Sequence, residues 1–186
     1  MGAWRGRLLV ATPAIADGVF ARSVVFLLDH DDDGALGVIV NRPLESELHQ
    51  VLPAWTSSAT SPTLLFQGGP VATDGALAVG VLADPVSADG PPSGWRPMAG
   101  RVGLVDLDGP PPAPRQLVGL RVFAGYAGWS AGQLEGEVDE GSWLVVEADP
   151  ADLISRDPES LWRDVVRRQS GDLRYWTTLP VDPGDN

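Results

Sequence analysis

Between Leu120 and Glu147 the chain reads LRVFAGYAGWSAGQLEGEVDEGSWLVVE, placing an apolar run, a cluster of glycines, an amphipathic segment and a second apolar run in one span. Val122 and Phe123 lie between Gly119 and Gly125, which predicts a short buried strand bounded by breakers. Gly125, Gly128 and Gly132 then supply positive φ or close backbone approach for a turn. Ser130 followed by Gln133 makes a capping box, each side chain satisfying a free backbone N–H, so a helix is expected from near Ala131. Leu134 and Val138 share one face of it, Glu135 favours its positive N-terminus, and Gly141 marks its stop before a strand over Trp143 to Val146. So short a helix is marginal alone, and tertiary packing must hold it.

Composition matters chiefly for what it removes. The 186 residues suit one domain, or two tightly merged subdomains. There is no cysteine, which excludes disulfides, thiolate nucleophiles, iron–sulfur clusters and cysteine-ligated zinc. All 13 basic residues are arginine. Without lysine the chain cannot form a Schiff base or carry a P-loop lysine. The net charge of −12 repels nucleic acid and anionic membrane surfaces, so direct nucleic-acid binding is not expected. Arg163, Arg167 and Arg168 are the strongest basic patch, and they read as a solvated helix face.

At the N-terminus Arg5 and Arg7 precede the apolar run Leu8 to Ala11, but Thr12 and Pro13 cut it too short for a signal peptide. It reads instead as a first strand. No apolar run of 18 residues exists to span a membrane, and Met1-Gly2 lacks the myristoylation pattern, so a cytoplasmic protein with no membrane partner is expected. Val24 to Leu28 and Leu36 to Val40 form a hairpin around an acidic turn. Ser46 is the expected N-cap of a helix through Leu48, Val51 and Leu52 that Pro53 ends. Leu64 to Phe66 is a strand running into Gly68-Gly69-Pro70, and Ala76 to Leu82 is its expected sheet neighbour. Residues 84–97 read as an irregular excursion, Val102 to Leu107 as a strand, and Gly109 to Pro114 as a stiff connector that could divide two subdomains near 108–116. Glu159 to Arg168 is an amphipathic helix behind Asp157-Pro158, and Val181 to Asn186 should fray.

Two chemical motifs tempt and fail. Asp29-His30-Asp31-Asp32-Asp33-Gly34 opens like a calcium loop, but the closing carboxylate position is Val40 and the flanks are strands, so no metal site is expected. Gly128-Trp129-Ser130-Ala131-Gly132 matches the serine-elbow pattern, yet the only histidines, His30 and His49, precede the serine, so no catalytic residue is assigned. His49 has no second histidine at ligand spacing and reads as a surface residue.

Taken in order, Leu8-Leu9-Val10-Ala11 with Pro13, Phe20, Ser23-Val24-Val25, His30, Gly34-Ala35-Leu36-Gly37, Asn41-Arg42-Pro43, Gly68-Gly69-Pro70-Val71, and Gly125-Tyr126 through Gly128-Trp129 to Gly132-Gln133-Leu134-Glu135 resemble the bacterial YqgE/AlgH family over most of the chain. The resemblance implies a single compact α+β domain, residues 1–186, with a mixed, partly barrel-like β-sheet flanked by helices, in a cytosolic protein of unestablished activity. The family name implies a regulatory pathway, but no helix-turn-helix, zinc finger or basic arm is present.

Asn41, Arg42, Gly68, Gly69, Pro70 and Gly125 to Gln133 all follow apolar strands, the usual place for a site on a rigid sheet. A shared pocket or interaction surface is therefore expected, including Gly128 and Glu135, with Tyr126 and Trp129 as its apolar wall, Arg42 and Gln133 supplying oriented hydrogen bonds, and the backbone N–H groups at the helix start offering a place for a carbonyl or carboxylate. Its partner would be a small molecule or a protein, with no cofactor. The leading function is a ligand- or protein-binding module; a transcriptional regulator acting through a partner and an unrecognised enzyme are the alternatives. A cluster that only stabilises the fold is the competing reading of the same residues.

Overall fold

The computed structural model describes residues 3–178; the expected fraying of Val181 to Asn186 lies outside them. Along the chain come β1 (Leu8–Ala11), β2 (Val24–Asp31), β3 (Gly34–Ile39), β4 (Pro43–Glu47) and a one-turn helix α1 (Leu48–Val51). A 3-10 turn at Pro53–Ser58 leads to β5 (Leu64–Gln67), β6 (Val71–Leu82), β7 (Arg96–Ala99) and β8 (Val102–Val105). Then follow β9 (Leu117–Ser130), α2 (Gln133–Asp139), β10 (Trp143–Val146) and α3 (Leu161–Arg168), with short 3-10 turns around α3.

All ten strands join one sheet in the order β10-β1-β2-β3-β9-β6-β8-β7, with β4 paired to β5 and β5 to β9. Every pair is antiparallel except β5 with β9, so the sheet is mixed. It curls into a half-barrel. Val146 on an edge strand and Met98 on the opposite edge strand pack into the same apolar core as Phe26, Phe66 and Phe123, and α3 plugs that core with Leu161, Trp162, Val165 and Val166. The other face is covered by α2 and the 12–23 segment, which pack Leu134 and Phe20 against Val25, Ile39 and Trp129.

The glycine cluster after Phe123 does not turn the chain. One strand of 14 residues passes through it, because Gly125 at φ 70° forms a bulge while β6 loops out between Val71 and Ala76 opposite. The extra residue shifts the alternation, so Phe123 and Tyr126 face the same core although they are three apart, and Ala127 and Trp129 face the other. The long strand also separates β5 from β6, which are not neighbours as the sequence order suggested: Phe123 pairs with Phe66 on one edge and Leu77 on the other.

Two caps differ from expectation. Ser130 ends a strand, and α2 starts two residues later than expected, behind Gly132 in the left-handed region at φ 75°. Half of the capping box forms, with Gln133 Oε1 accepting from the Ser130 N–H at 3.0 Å, while the Ser130 hydroxyl donates to that same oxygen at 3.2 Å. Ser46 lies within β4, whose pairing with β5 overrides its capping propensity, and Glu47 precedes α1 instead. The strand at Leu8, the hairpin around the acidic turn, the strand over Trp143–Val146 and the α3 stripe form as read, and Gly141 follows α2 at φ 83°.

Candidate functional site

Of the expected site residues, Gly68, Gly69 and Gly125 meet along β9, and backbone packing brings them there. Gly68 donates to Ala124 O at 2.8 Å and accepts from the Ile39 N–H at 2.8 Å, so it bridges β9 to β3. A Cβ on Gly68 would lie 2.3 Å from Gly125 O, one on Gly69 2.1 Å from Tyr126 O, and one on Gly125 2.5 Å from Gly69 O. The two glycine-rich stretches thus face one another main chain to main chain. That contact leaves no space for a ligand between them.

Asn41 is buried, its Oδ1 accepting from the Val24 N–H and its Nδ2 donating to Arg22 O, both at 2.9 Å. Arg42 donates through Nη2 to Ala21 O, and burial holds its pKa below the ordinary arginine value. Both side chains tie the end of β3 to the segment before β2. Arg42 and Gln133 therefore serve different places rather than one pocket, and Tyr126 and Trp129 lie on opposite faces of the sheet rather than forming one wall.

On the α2 face a compact polar network forms. Glu137 Oε2 accepts the indole N–H of Trp129 at 2.8 Å and of Trp143 at 3.0 Å, and Gln133 Nε2 donates to Glu137 Oε1 at 3.2 Å. The two indoles meet edge to face, with Phe20 against both. His30, 6% exposed, holds α2 a second time: its Nδ1 accepts from the Trp4 N–H at 3.3 Å, which leaves Nε2 to donate to Glu135 at 2.7 Å. Trp4 also stacks on the imidazole at 5.0 Å. Hydrogen bonding to its own backbone N–H, then to His30, holds the Glu135 carboxyl below the usual range. Neither ring nitrogen of His30 is directed at Ser130, whose hydroxyl is taken by Gln133.

On the opposite face the same strand ends as an open apolar shelf. Leu36 pairs with Gly128 and Val71 with Tyr126 across β3, β9 and β6. Leu36 and Tyr126 are half-buried, while Gly128, Pro70 and Val71 are exposed. A Cβ on Gly128 would touch the Tyr126 ring at 3.5 Å, so the ring borders this bare stretch of main chain.

Elsewhere, His49 is exposed beside Glu47 at 2.9 Å, and Asp31 Oδ1 accepts from the Asp33 N–H at 2.8 Å in the acidic turn. Among the described residues no three His, Cys, Asp or Glu side chains stand where they could hold a metal, and no helix is long and apolar enough to cross a membrane. Sequence reasoning missed Glu137, Trp143 and Arg121. Glu137 carried one signal, its i,i+4 spacing from Gln133; Arg121 carried none.

A half-barrel sheet whose glycine-rich strands lock together, with polar staples on one face and an apolar shelf on the other, defines an α+β scaffold of AlgH type. The chain belongs to the AlgH-like family, whose model matches residues 8–174. It is 53% identical over 182 residues to a UPF0301 protein of Streptomyces avermitilis, covering 97% of this chain and 94% of that one. It is 46% identical to a UPF0301 protein of Mycobacteroides abscessus, covering 97% and 87%. The crystal structure of a Corynebacterium diphtheriae protein superposes with a TM-score of 0.86 at 33% identity, covering 96% of this chain and 94% of that chain. The solution structure of the AlgH protein from Pseudomonas aeruginosa gives 0.65 at 29% identity, covering 95% and 94%.

Proposed function

We propose that this protein is a binding module that captures a protein partner on the shelf of Leu36, Pro70, Val71, Tyr126 and Gly128. The observation that carries this reading is a pair of adjacent rungs, Leu36 with Gly128 across β3 and β9 and Tyr126 with Val71 across β9 and β6, where exposed Val71, Pro70 and a bare glycine main chain border a half-buried leucine and aromatic ring. Exposed apolar surface next to an ordered aromatic is the usual core of a protein interface. Asn41, Arg42, Gly68, Gly69 and Gly125 act beneath it as scaffold, since their polar groups and backbones are consumed in holding β3, β5 and β9 together. Gln133, Glu135 and Trp129 hold α2 on the reverse face and set the rigidity of the strand rather than touching the partner.

The test is a photo-crosslinking amino acid placed in cells at Val71, with the more exposed Val86 as the control. A discrete adduct of one protein from position 71 alone is expected. Adducts of the same protein from both positions, or none from position 71, would remove the shelf as the capture surface.

A further inference from the structure

Among the described residues Arg121 is the largest fully buried side chain, 1% exposed, and it has no acidic partner. Its guanidinium donates through Nη2 to Ser61 O at 2.9 Å and through Nη1 to Ser155 O at 2.9 Å and Leu153 O at 3.3 Å, and it lies 4.2 Å over the Phe66 ring. Carbonyl dipoles and a ring face solvate this charge without neutralising it, and its Nε has no partner among the described residues. Burial, then repulsion from Arg156, lowers its pKa to about 10.

The two segments that Arg121 ties together, around Ser61 and Ser155, border a groove of about 590 Å³. Arg115 and Arg156 line it, and no Asp or Glu does. Neither arginine forms an ion pair among the described residues. Arg115 is held at φ 77°, a left-handed conformation that a side chain rarely adopts. Ser57, Ser58 and Ser61 bring further hydroxyl groups, and Pro111, Pro112 and Pro114 supply a stiff apolar wall. Three guanidinium groups therefore gather, one beneath and two along a cleft of small-molecule size, in a protein whose net charge is −12. Arg156 repels the buried Arg121, and an anion held by the groove arginines would relieve that repulsion while using their unpaired donors.

We propose that this groove, between the 54–61 segment and the 111–119 segment, is a binding site for a small phosphomonoester, its phosphate held by Arg115, Arg156 and the serine hydroxyls and its body lying against the prolines. Two guanidinium forks and neutral hydroxyl donors suit a tetrahedral dianion. The groove shares no residue with the shelf, so the proposal stands apart from the protein-capture reading.

The experiment titrates the full chain with inorganic phosphate at constant ionic strength and pH 7.5, about half a unit above neutrality, followed by amide ¹H–¹⁵N spectra. Saturable shifts confined to residues 57–61, 115–119 and 156 are expected. R115Q/R156Q should weaken the apparent affinity at least about tenfold, and R167Q should leave it within about twofold. Both groove arginines are exposed, so the double variant should keep a native spectrum; if it does not, R115Q and R156Q alone give the same reading. Linear shifts spread over other arginines, meaning an adventitious ion only, would overturn the proposal. So would an unchanged affinity in the groove variants. Succinate run in parallel checks the head group, and saturation by succinate at lower concentration than by phosphate would overturn the phosphate assignment.

Discussion

At the scale of single residues, glycines that look alike in sequence have different roles. Gly125 combines φ 70° with a main-chain oxygen 2.5 Å from where a Cβ would stand, so substitution there must push two strands apart. Gly132 has the same backbone sign at φ 75° but open space around it. Gly125→Ala is expected to cost on the order of 3 kcal/mol or more, and Gly132→Ala only about 1 kcal/mol, the ordinary cost of a left-handed alanine. Urea unfolding of both variants checks the contrast. The Ser130 hydroxyl is exposed and donates to a side chain that already caps the Ser130 N–H. Ser130→Ala should thus fall within about 0.5 kcal/mol of wild type, whereas Gln133→Ala, which strips that N–H of its acceptor and removes the donor to Glu137 Oε1, should cost about 1 kcal/mol. A larger loss in Ser130→Ala would restore the serine as the cap.

At the scale of elements, α2 has seven residues and could not persist alone, so its position depends on side chains that reach the sheet. Leu134 supplies the apolar contact, Glu137 takes two indole N–H groups, and Glu135 grips His30. The folded-state pKa of Glu135 is depressed, so its contribution to stability is present above the ordinary carboxylate range and is lost as pH falls through the folded value. The side chain is 44% exposed, which keeps that contribution small. Glu135→Gln is expected to be slightly less stable than wild type near pH 7 and to match it near pH 3, so that its loss of stability between about pH 5 and pH 3 is flatter. Thermal melts across that range decide it. Parallel wild-type and variant profiles would show that Glu135 does not carry the linkage.

For the molecule as a whole, at a charge of −12, the basic patch on α3 is the DNA candidate that the sequence offers, and it is partly spent. Arg168 makes a two-pronged ion pair with Asp152 at 2.8 Å for both contacts. Asp149 and Asp164 add to the field that raises its pKa. No gel shift with duplex DNA is expected at about 150 mM salt. A reproducible shift abolished by Arg167→Ala/Arg168→Ala would replace the protein-capture reading with direct DNA binding.

What was legible in the sequence was local. The acidic hairpin turn, the stop at Gly141 and the apolar stripe of α3 follow from interactions within a few residues, so breakers and periodicity sufficed, and the ordered motifs were enough to indicate the AlgH-like half-barrel. The partners of β9 were not legible. Nothing within the span from Gly119 to Gly132 distinguishes a glycine that ends a strand from one that bulges to let another backbone approach, because the deciding atoms belong to Gly69 and Val71. Tertiary structure alone made Asn41 and Arg42 latches between the end of β3 and the segment before β2, put Tyr126 and Trp129 on opposite faces, and buried Arg121 beneath a groove whose walls lie about sixty residues apart in the chain. Such placements depend on contacts across the sheet, whose geometry forms only when the half-barrel closes.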